Sequence, residues 1–260
     1  MKFLVGSFLT VCAVLFFTGC STLISPTPIP TAVTVEEVEA KINAAMDPEG
    51  EYRNATSYYQ RLVMSIPGPL WGKVDFMVDI RFEKPSRFRY DYYYDNKLVT
   101  SMIYVADTAF VIDHTKQRTM EMDEDYSHKI FALLQLGCPE ASYSASFADV
   151  DVYECVIDGE EYYWLRCFFE DDNPKFFYDV FVDKAQNYVR RVQMRTPKLG
   201  EFSAVVKKFS KFGSVTIPDE YSAFLDRSEI VCDVINYKLN AYIPPEIFDL
   251  PDFPREKYKG

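Results

Sequence analysis

The sequence predicts a mainly β protein of the α+β class, with a curved antiparallel sheet of about eleven strands that forms a half-barrel. Helices are expected to cover or plug its concave face. Aromatic residues make up 16% of the 260 residues, from 21 Phe, 19 Tyr and 2 Trp, and such rings pack well on a pleated surface. Apolar and polar residues also alternate with a period of two along most of the chain, which indicates half-buried strands.

The N-terminus has the organisation of a bacterial lipoprotein signal peptide. Lys2 supplies a positive charge, residues 3–17 form an uncharged apolar run, and Thr18-Gly19 precedes Cys20. The run is short for a membrane anchor and has the proportions of a secretory core. We predict a signal peptide over residues 1–19 and lipidation of Cys20. The alternatives are an ordinary cleaved signal peptide or an uncleaved anchor.

A proline-rich segment follows the lipidated cysteine. Pro26, Pro28 and Pro30 occupy alternate positions among Ser, Thr and Ile, a composition that favours an extended and semi-rigid chain. We therefore predict a tether over residues 20–32 and one folded domain over residues 33–257.

The folded domain opens with a helix. Thr34 and Glu37 form a Thr-x-x-Glu capping box, which is typical of a helix N-terminus. The apolar residues that follow at helical spacing are Val35, Val38, Ile42 and Ala45. The Asp-Pro-Glu-Gly segment at residues 47–50 ends this helix.

Residues 73–83 give the clearest strand. Its apolar face carries Val74, Phe76, Val78, Ile80 and Phe82. Its other face carries Lys73, Asp75, Asp79, Arg81 and Glu83, and is predicted to face water. After a turn at Pro85-Ser86, the apolar alternation returns in Phe88, Tyr90, Tyr92 and Tyr94.

The rest of the chain is a meander interrupted by a second helix. Further strands are predicted at residues 98–105, 109–113, 118–122, 150–157, 162–169, 176–183, 188–196, 201–209 and 230–239. Residues 123–137 break the alternation, and their apolar side chains wrap most of a helix circumference. Such a helix must cover something apolar.

A meander of this length curls, and two helices are too few to fill it, so a residual apolar cavity is expected. The residues predicted to line the cavity are Val74, Phe76, Val78, Ile80, Phe82, Phe88, Tyr90 and Tyr92 on the strands and Ile130, Phe131 and Leu134 on the second helix. The same pattern is also compatible with a filled core.

Four cysteines remain after Cys12 and Cys20 are set aside. They are Cys138, Cys155, Cys167 and Cys232. An even number in an exported domain makes them candidate disulfide cysteines, with buried free thiols as the alternative. The pairing is not readable from the sequence.

Charge and motifs exclude several classes of function. The net charge of −11 would repel nucleic acid. The chain has no Gly-x-Ser-x-Gly, His-Glu-x-x-His, Walker A or Gly-x-Gly-x-x-Gly motif. The only histidines, His114 and His128, are predicted at a turn and near a helix start. We expect no enzyme, no cofactor and no metal site.

Three segments carry a resemblance to a known family. They are the Phe-Glu-Lys-Pro-Ser-Arg-Phe-Arg-Tyr run at residues 82–90, the aromatic strand and turn at residues 104–113, and the Pro-rich close at residues 238–251. With the order of signal, helix, meander, helix and meander, they resemble the LolA/LolB outer-membrane lipoprotein-sorting superfamily, which includes RseB/MucB-type sensors. The chain departs from the family at Thr108, where the family turn has Gly, and in its greater length.

The resemblance implies a function in the cell envelope. It implies a membrane-anchored periplasmic binding protein that accepts acyl chains of lipoproteins or phospholipids, with Lys84 at the position of the carrier's functional basic residue. Because an anchored protein cannot diffuse across the periplasm, a receptor like LolB is favoured over a shuttle like LolA. Ser21 after the cysteine favours the outer membrane. The alternatives are an RseB/MucB-like sensor that binds a periplasmic protein partner, and a structural lipoprotein without a ligand.

The lipidation prediction is tested at Cys20. Replacing Cys20 with Ser should release a soluble periplasmic form or leave an uncleaved precursor, because the acylated thiol is lost. Membrane fractionation and the intact mass measure this. Unchanged fractionation with an unchanged mass would contradict the prediction.

Overall fold

The computed structural model describes residues 23–68, 72–123, 127, 142–169, 175–196, 200–225 and 228–258. The chain divides into two compact units. Unit 1 takes its described residues from Asn54–Gln135 and Cys232–Gly260, and unit 2 from Leu15–Arg53 and Leu136–Val231. The predictions that lie outside the described residues concern the signal peptide, Cys20, His128, Ile130, Phe131, Leu134 and Cys138.

The described residues are mainly β. The strands are β1 Ile29–Pro30, β2 Ser57–Pro67, β3 Lys73–Glu83, β4 Arg87–Tyr94, β5 Lys97–Val105, β6 Thr108–Asp113, β7 Arg118–Glu121, β8 Asp149–Ile157, β9 Glu160–Phe168, β10 Phe177–Asp183, β11 Val189–Thr196, β12 Gly200–Phe212, β13 Val215–Leu225, β14 Ser228–Leu239 and β15 Arg255–Lys257. The helices are α1 Val35–Met46, α2 Glu51–Asn54 and α3 Tyr143–Ser146, with a 3-10 helix at Pro245–Phe248.

Each unit contains a linear series of neighbouring strands. In unit 1, which includes β14 from Cys232 onward, the order is β14-β2-β3-β4-β5-β6-β7-β15, and in unit 2 it is β1-β8-β9-β10-β11-β12-β13. Strands β2 to β7 pair antiparallel, as do strands β8 to β13, whereas β15 joins β7 in parallel. The prediction of a mainly β, antiparallel fold is confirmed.

The predicted capping box is confirmed at the start of α1. The Glu37 amide donates to Thr34 Oγ1 at 3.3 Å, and the Thr34 amide donates to Glu37 Oε2 at 3.0 Å. The helix ends at Met46, where Asp47 caps it. Val38, Ile42 and Met46 are its buried residues, so the predicted apolar stripe packs inward.

The predicted number of strands was wrong: the described residues contain fifteen rather than about eleven. Strand β13 was missed because Pro218 and two acidic residues interrupt its alternation, and proline is rare inside a sheet. The structure places Pro218 beside an irregularity in the β12–β13 register, where a proline is tolerated. Strands β1 and β15 are too short to give a pattern.

The described part of the predicted tether is bound to unit 2. The Ile24 amide donates to Gln193 Oε1 at 2.9 Å, and Gln193 Nε2 donates to the Ile24 carbonyl at 2.8 Å. Ile29 then pairs with Glu154 of β8. Residues 21–23 alone therefore separate Cys20 from the first of these contacts.

Two of the candidate disulfide cysteines hold free thiols. Cys155 and Cys167 are both buried and unpaired, and Cys232 is buried in β14. The β8–β9 register pairs Cys155 with Tyr162 and Cys167 with Val150. The two cysteines thus lie about 17 Å apart along the ladder, at about 3.4 Å per residue, too far for a disulfide. Cys155 and Cys167 are therefore buried free thiols, which was the predicted alternative to disulfides.

The described helices include none that is both long and apolar enough to cross a membrane.

The β5–β6 turn places Ala106 in the left-handed backbone region, which is unfavourable for alanine. Ala106 and Asp107 join the two strands with φ angles of 49° and 59°. Such a two-residue turn needs left-handed backbone at both positions, which favours Asn and Gly. Alanine there loses roughly 1 kcal/mol.

Replacing Ala106 with Asn should therefore stabilise the protein by about 0.5–1 kcal/mol. Urea unfolding of the two proteins measures the difference. The matched control is Ala185→Asn, the same substitution at an exposed alanine of the β10–β11 turn that is not among the residues with positive φ. Equal or lower stability of the Ala106 variant would contradict the assignment of strain to this turn.

Candidate functional site

The register of unit 1 places the eight predicted strand residues on one face of the sheet. Val78 lies opposite Tyr92, Ile80 opposite Tyr90, and Phe82 opposite Phe88. Because side chains alternate along a strand, Val74 and Phe76 share this face. We call this surface the apolar face of unit 1.

The apolar face extends over the neighbouring strands. Leu62 and Tyr58 of β2 lie opposite Val78 and Phe82, and Tyr104 of β5 lies opposite Phe88. The rings of Phe82 and Phe88 stack with centroids 4.2 Å apart. The sequence prediction missed the β2 and β5 members, although the period-two pattern could have found them.

The apolar face is buried most deeply from Val78 to the turn between β3 and β4. Val78, Phe82 and Phe88 are 2%, 3% and 1% exposed, whereas Tyr90 and Tyr92 keep intermediate exposure. The predicted plug residues lie outside the described residues. The cavity of about 430 Å³ at the β5–β6 turn is lined by none of the eight strand residues, so a cavity over the apolar face stays a prediction.

The opposite face of β3 was predicted to face water, and this was wrong at its centre. Asp79 is 1% exposed. Its carboxylate accepts from Arg61 at 2.5 and 2.8 Å, from Tyr59 at 2.9 Å and from Arg81 at 3.1 Å. The alternation was read correctly, but a charged side chain is buried where arginines surround it.

A second buried carboxylate continues this network on β4. Asp91 is 2% exposed. It accepts from Arg81 at 2.8 Å, from Arg89 at 2.7 and 2.9 Å, and from the Ser101 hydroxyl at 2.5 Å. The two aspartates and their donors form what we call the polar face of unit 1.

The C-terminal segment covers the polar face. Arg89 Nη1 donates to the Ile247 carbonyl at 2.5 Å, and the Arg87 guanidinium lies 4.9 Å from the centre of the Phe248 ring. An apolar cluster continues this cover and contains Ile103, Ile112, Ile243 and Phe248, with Val105, Ile247, Leu250 and Phe253 packed against it. The Pro-rich close predicted from the resemblance thus contacts Arg87 and Arg89, beside the buried carboxylate of Asp91.

The electrostatics of the polar face favour fixed charges. Burial opposes ionisation of Asp79, but hydrogen bonds from Arg61 and Tyr59 and the nearby arginine charges outweigh it, so the pKa of Asp79 lies below its ordinary value. Burial and the bond to Asp79 raise the pKa of Tyr59 to about 12. Both groups therefore keep one protonation state near neutral pH.

His114 lies at the edge of this network, next to a serine. Its Nε2 is 2.9 Å from the Ser101 hydroxyl. Burial and the Arg89 charge lower the pKa of His114, against the opposing charges of Asp91 and Asp113. Ser101 is completely buried and its hydroxyl donates to Asp91, so this serine oxygen faces no open site. The arrangement can orient side chains, and it lacks the access that a nucleophile needs.

Unit 2 contains a network of the same kind. Asp179 is completely buried and accepts from Arg166 at 2.8 and 2.9 Å and from Gln193 at 2.9 Å. Gln193 is the residue that exchanges two hydrogen bonds with the backbone of Ile24. In each unit, therefore, a terminal segment is tied to a buried aspartate through one side chain.

Lys84 occupies the turn between β3 and β4. Its side chain is half-buried, and its amide donates to the Thr56 carbonyl at 2.9 Å. Its predicted contact with a polar head group stays a prediction. In the part of the chain that the structure describes, no group of three or more His, Cys, Asp or Glu side chains is placed to hold a metal ion.

The fold is similar to that of solved structures with little sequence identity. A LolA superfamily protein from Nitrosomonas europaea matches with a TM-score of 0.57 and 12% identity, over 84% of this chain and 99% of that chain. A DUF1329 family protein from Desulfovibrio piger matches with a TM-score of 0.56 and 13% identity, over 82% and 97% of the two chains. A domain from Vibrio parahaemolyticus, named as an outer membrane lipoprotein-sorting protein, matches with a TM-score of 0.58 and 9% identity, over 83% and 97%.

The predicted resemblance to the LolA/LolB superfamily is confirmed at the level of the fold. No family model matches the chain. No curated protein matches it either.

Replacing Asp79 with Asn should lower the free energy of unfolding by about 3 kcal/mol at pH 7, because it leaves Arg61 and Arg81 without the carboxylate. The lowered pKa means that this contribution is present above the unfolded pKa of about 3.9 and is lost as the pH falls through the folded pKa. Urea unfolding at pH 7 and in acid measures both effects.

The matched control is Asp75→Asn, at an exposed aspartate of the same strand. It should cost less than about 1 kcal/mol. Two results would contradict the role assigned to the buried carboxylate. One is an equal decrease in the free energy of unfolding for both variants, and the other is a decrease for Asp79→Asn that is as large in acid as at pH 7.

Proposed function

We propose that this chain is a membrane-anchored periplasmic binding protein that accepts acyl chains of lipoproteins or phospholipids on the apolar face of unit 1. It would act without covalent chemistry and without a cofactor. The observation that carries the proposal is the concentration of aromatic and aliphatic side chains on one face of β2–β5. The alternative is an RseB/MucB-like sensor whose ligand is a protein.

The chemistry of the apolar face suits a chain of methylenes. Ile80 and Phe82 are buried apolar members of this face, and Tyr90 and Tyr92 remain partly exposed beside them. Tyrosines have an apolar ring and a polar tip, which suits the border between a buried chain and water. The half-barrel predicted from the length of the meander would provide the cavity, with the second helix as its plug.

The energetics are sufficient for capture and release. A buried methylene contributes about 0.8 kcal/mol, so one chain of about sixteen carbons gains on the order of 10 kcal/mol before the cost of ordering. Partial burial would leave a smaller net affinity. A protein that passes its cargo on needs such an intermediate affinity.

The short spacer favours a local role at one membrane. The N-terminal segment is hydrogen-bonded to Gln193 of unit 2 at Ile24. Residues 20–24 span at most about 14 Å, so a lipid on Cys20 would hold unit 2 close to the membrane. Such a protein receives or transfers cargo at its own membrane surface. The fold shared with a domain named for outer membrane lipoprotein sorting supports an outer-membrane location facing the periplasm.

The proposal is tested by uptake of a fluorescently labelled acyl lipid by the full-length Cys20→Ser chain. The Cys20→Ser chain without any further substitution should show saturable uptake. Val78→Glu should abolish it, because a carboxylate at a site 2% exposed replaces apolar surface. Lys84→Ala should retain it if burial of the chain, rather than head-group recognition, provides the affinity.

Two further variants make the result specific. Val156→Glu is the matched control, since this valine is 52% exposed in unit 2, and it should bind normally. Val74→Glu, at a half-buried end of the apolar face, should weaken uptake even if Val78→Glu does not fold, which near-ultraviolet circular dichroism would reveal. Absence of uptake by the folded chain would contradict the proposal and favour the sensor.

A further inference from the structure

Unit 2 contains a groove of about 340 Å³ whose lining differs in charge from the rest of the chain. The groove lies between the start of β11 and the second half of β12. Its lining includes Arg190, Lys207, Lys208 and Lys211, with no carboxylate among the lining residues. Four cations in one groove are unexpected in a chain with a net charge of −11.

The groove lies where β11 and β12 are no longer paired. The β11–β12 ladder begins at the pair of Arg191 and Val205, and two irregularities in the β12–β13 register follow at Val206 to Phe209. Such bulges redirect side chains and are common beside functional sites. Here they bring consecutive lysines, Lys207 and Lys208, to the same groove.

The groove has a fixed aromatic floor. The rings of Tyr188 and Phe209 lie with centroids 4.7 Å apart, and the Arg190 guanidinium lies over Phe209 at 4.9 Å. Arg190 also donates to Asp183 at 3.4 Å and to Gln186. Since an arginine has five N–H donors, it keeps donors for a ligand while its plane is held in place.

A buried hydroxyl in the lining lacks a hydrogen-bond partner. Thr216 is 2% exposed and lines the groove. Its Oγ1 has no partner among the described residues. The large majority of buried side-chain polar atoms have a hydrogen-bond partner, and this hydroxyl is free to donate to a ligand in the groove. An anion in the groove would accept this hydrogen bond.

The cations are only partly neutralised by neighbouring acids. Lys208 bonds to Asp219 and Lys207 to Glu229, and both acids lie outside the lining. Lys211 is exposed and forms no ion pair with a described residue. These acids and Asp183 offset part of the positive charge of Lys208, Lys207 and Arg190, and Lys211 adds a charge that no described acid offsets by an ion pair.

We propose that this groove binds a phosphate group, held by Arg190 and the three lysines and accepting a hydrogen bond from Thr216. Arginine and lysine are the usual donors to phosphate. The phosphate could belong to a phospholipid head group or to a soluble phosphate compound. The groove lies in unit 2 and the apolar face in unit 1, so this site stands independently of the acyl-binding proposal.

The test uses the full-length Cys20→Ser chain with two probes. Calorimetric titration with inorganic phosphate should show saturable binding, weakened about tenfold by Lys211→Glu and several-fold by Thr216→Val, which removes only the hydroxyl. Lys238→Glu, the same charge change at an exposed lysine of β14, should have no effect. Vesicles of phosphatidylcholine with and without phosphatidylglycerol form the second arm.

The two arms separate the sources of the phosphate. Salt-sensitive preference for phosphatidylglycerol vesicles, lost in Lys211→Glu, assigns the site to a lipid head group. Binding of inorganic phosphate without vesicle preference assigns it to a soluble compound. No binding of either probe would overturn the proposal, as would binding that Lys211→Glu leaves unchanged. Binding of poly-glutamate in place of phosphate would overturn it too, in favour of an acidic peptide.

Discussion

The burial of both faces of β3 is the constraint on which unit 1 depends. One face of this strand presents Val78 and Phe82, and the other presents Asp79, and all three are almost completely buried. A buried carboxylate is tolerated only when charged donors surround it, and Arg61 and Arg81 meet that requirement. Because these donors come from β2 and β3, the ion pairs also fix the register that assembles the apolar face.

The terminal segments complete this arrangement in each unit. Ile247 accepts from Arg89 in unit 1, and Ile24 exchanges hydrogen bonds with Gln193 in unit 2. In both places an irregular, proline-rich segment packs on a polar network that the strands alone would leave exposed to water. In the proposed acyl-binding protein, the covered polar face would hold these strands in place while their apolar face takes the ligand.

The sequence predicted what local patterns determine. The capping box at Thr34 and the strand Lys73–Glu83 were found because each is specified by spacing within one turn or one strand. The buried state of Asp79 could not be predicted, since it depends on Arg61 and Tyr59 of the neighbouring strand β2 as well as on Arg81 of its own strand. The groove at Lys207 and Lys208 was missed for the same reason, because it arises where two ladders part.

Native mass spectrometry of the full-length Cys20→Ser chain, purified without detergent, tests the central claim most directly. If the apolar face accepts acyl chains, the spectrum should show bound species with the masses of lipids or acylated peptides, and Val78→Glu should lack them while Val156→Glu keeps them. A folded wild-type chain that carries no acyl species, or that carries a protein partner in their place, would contradict the account.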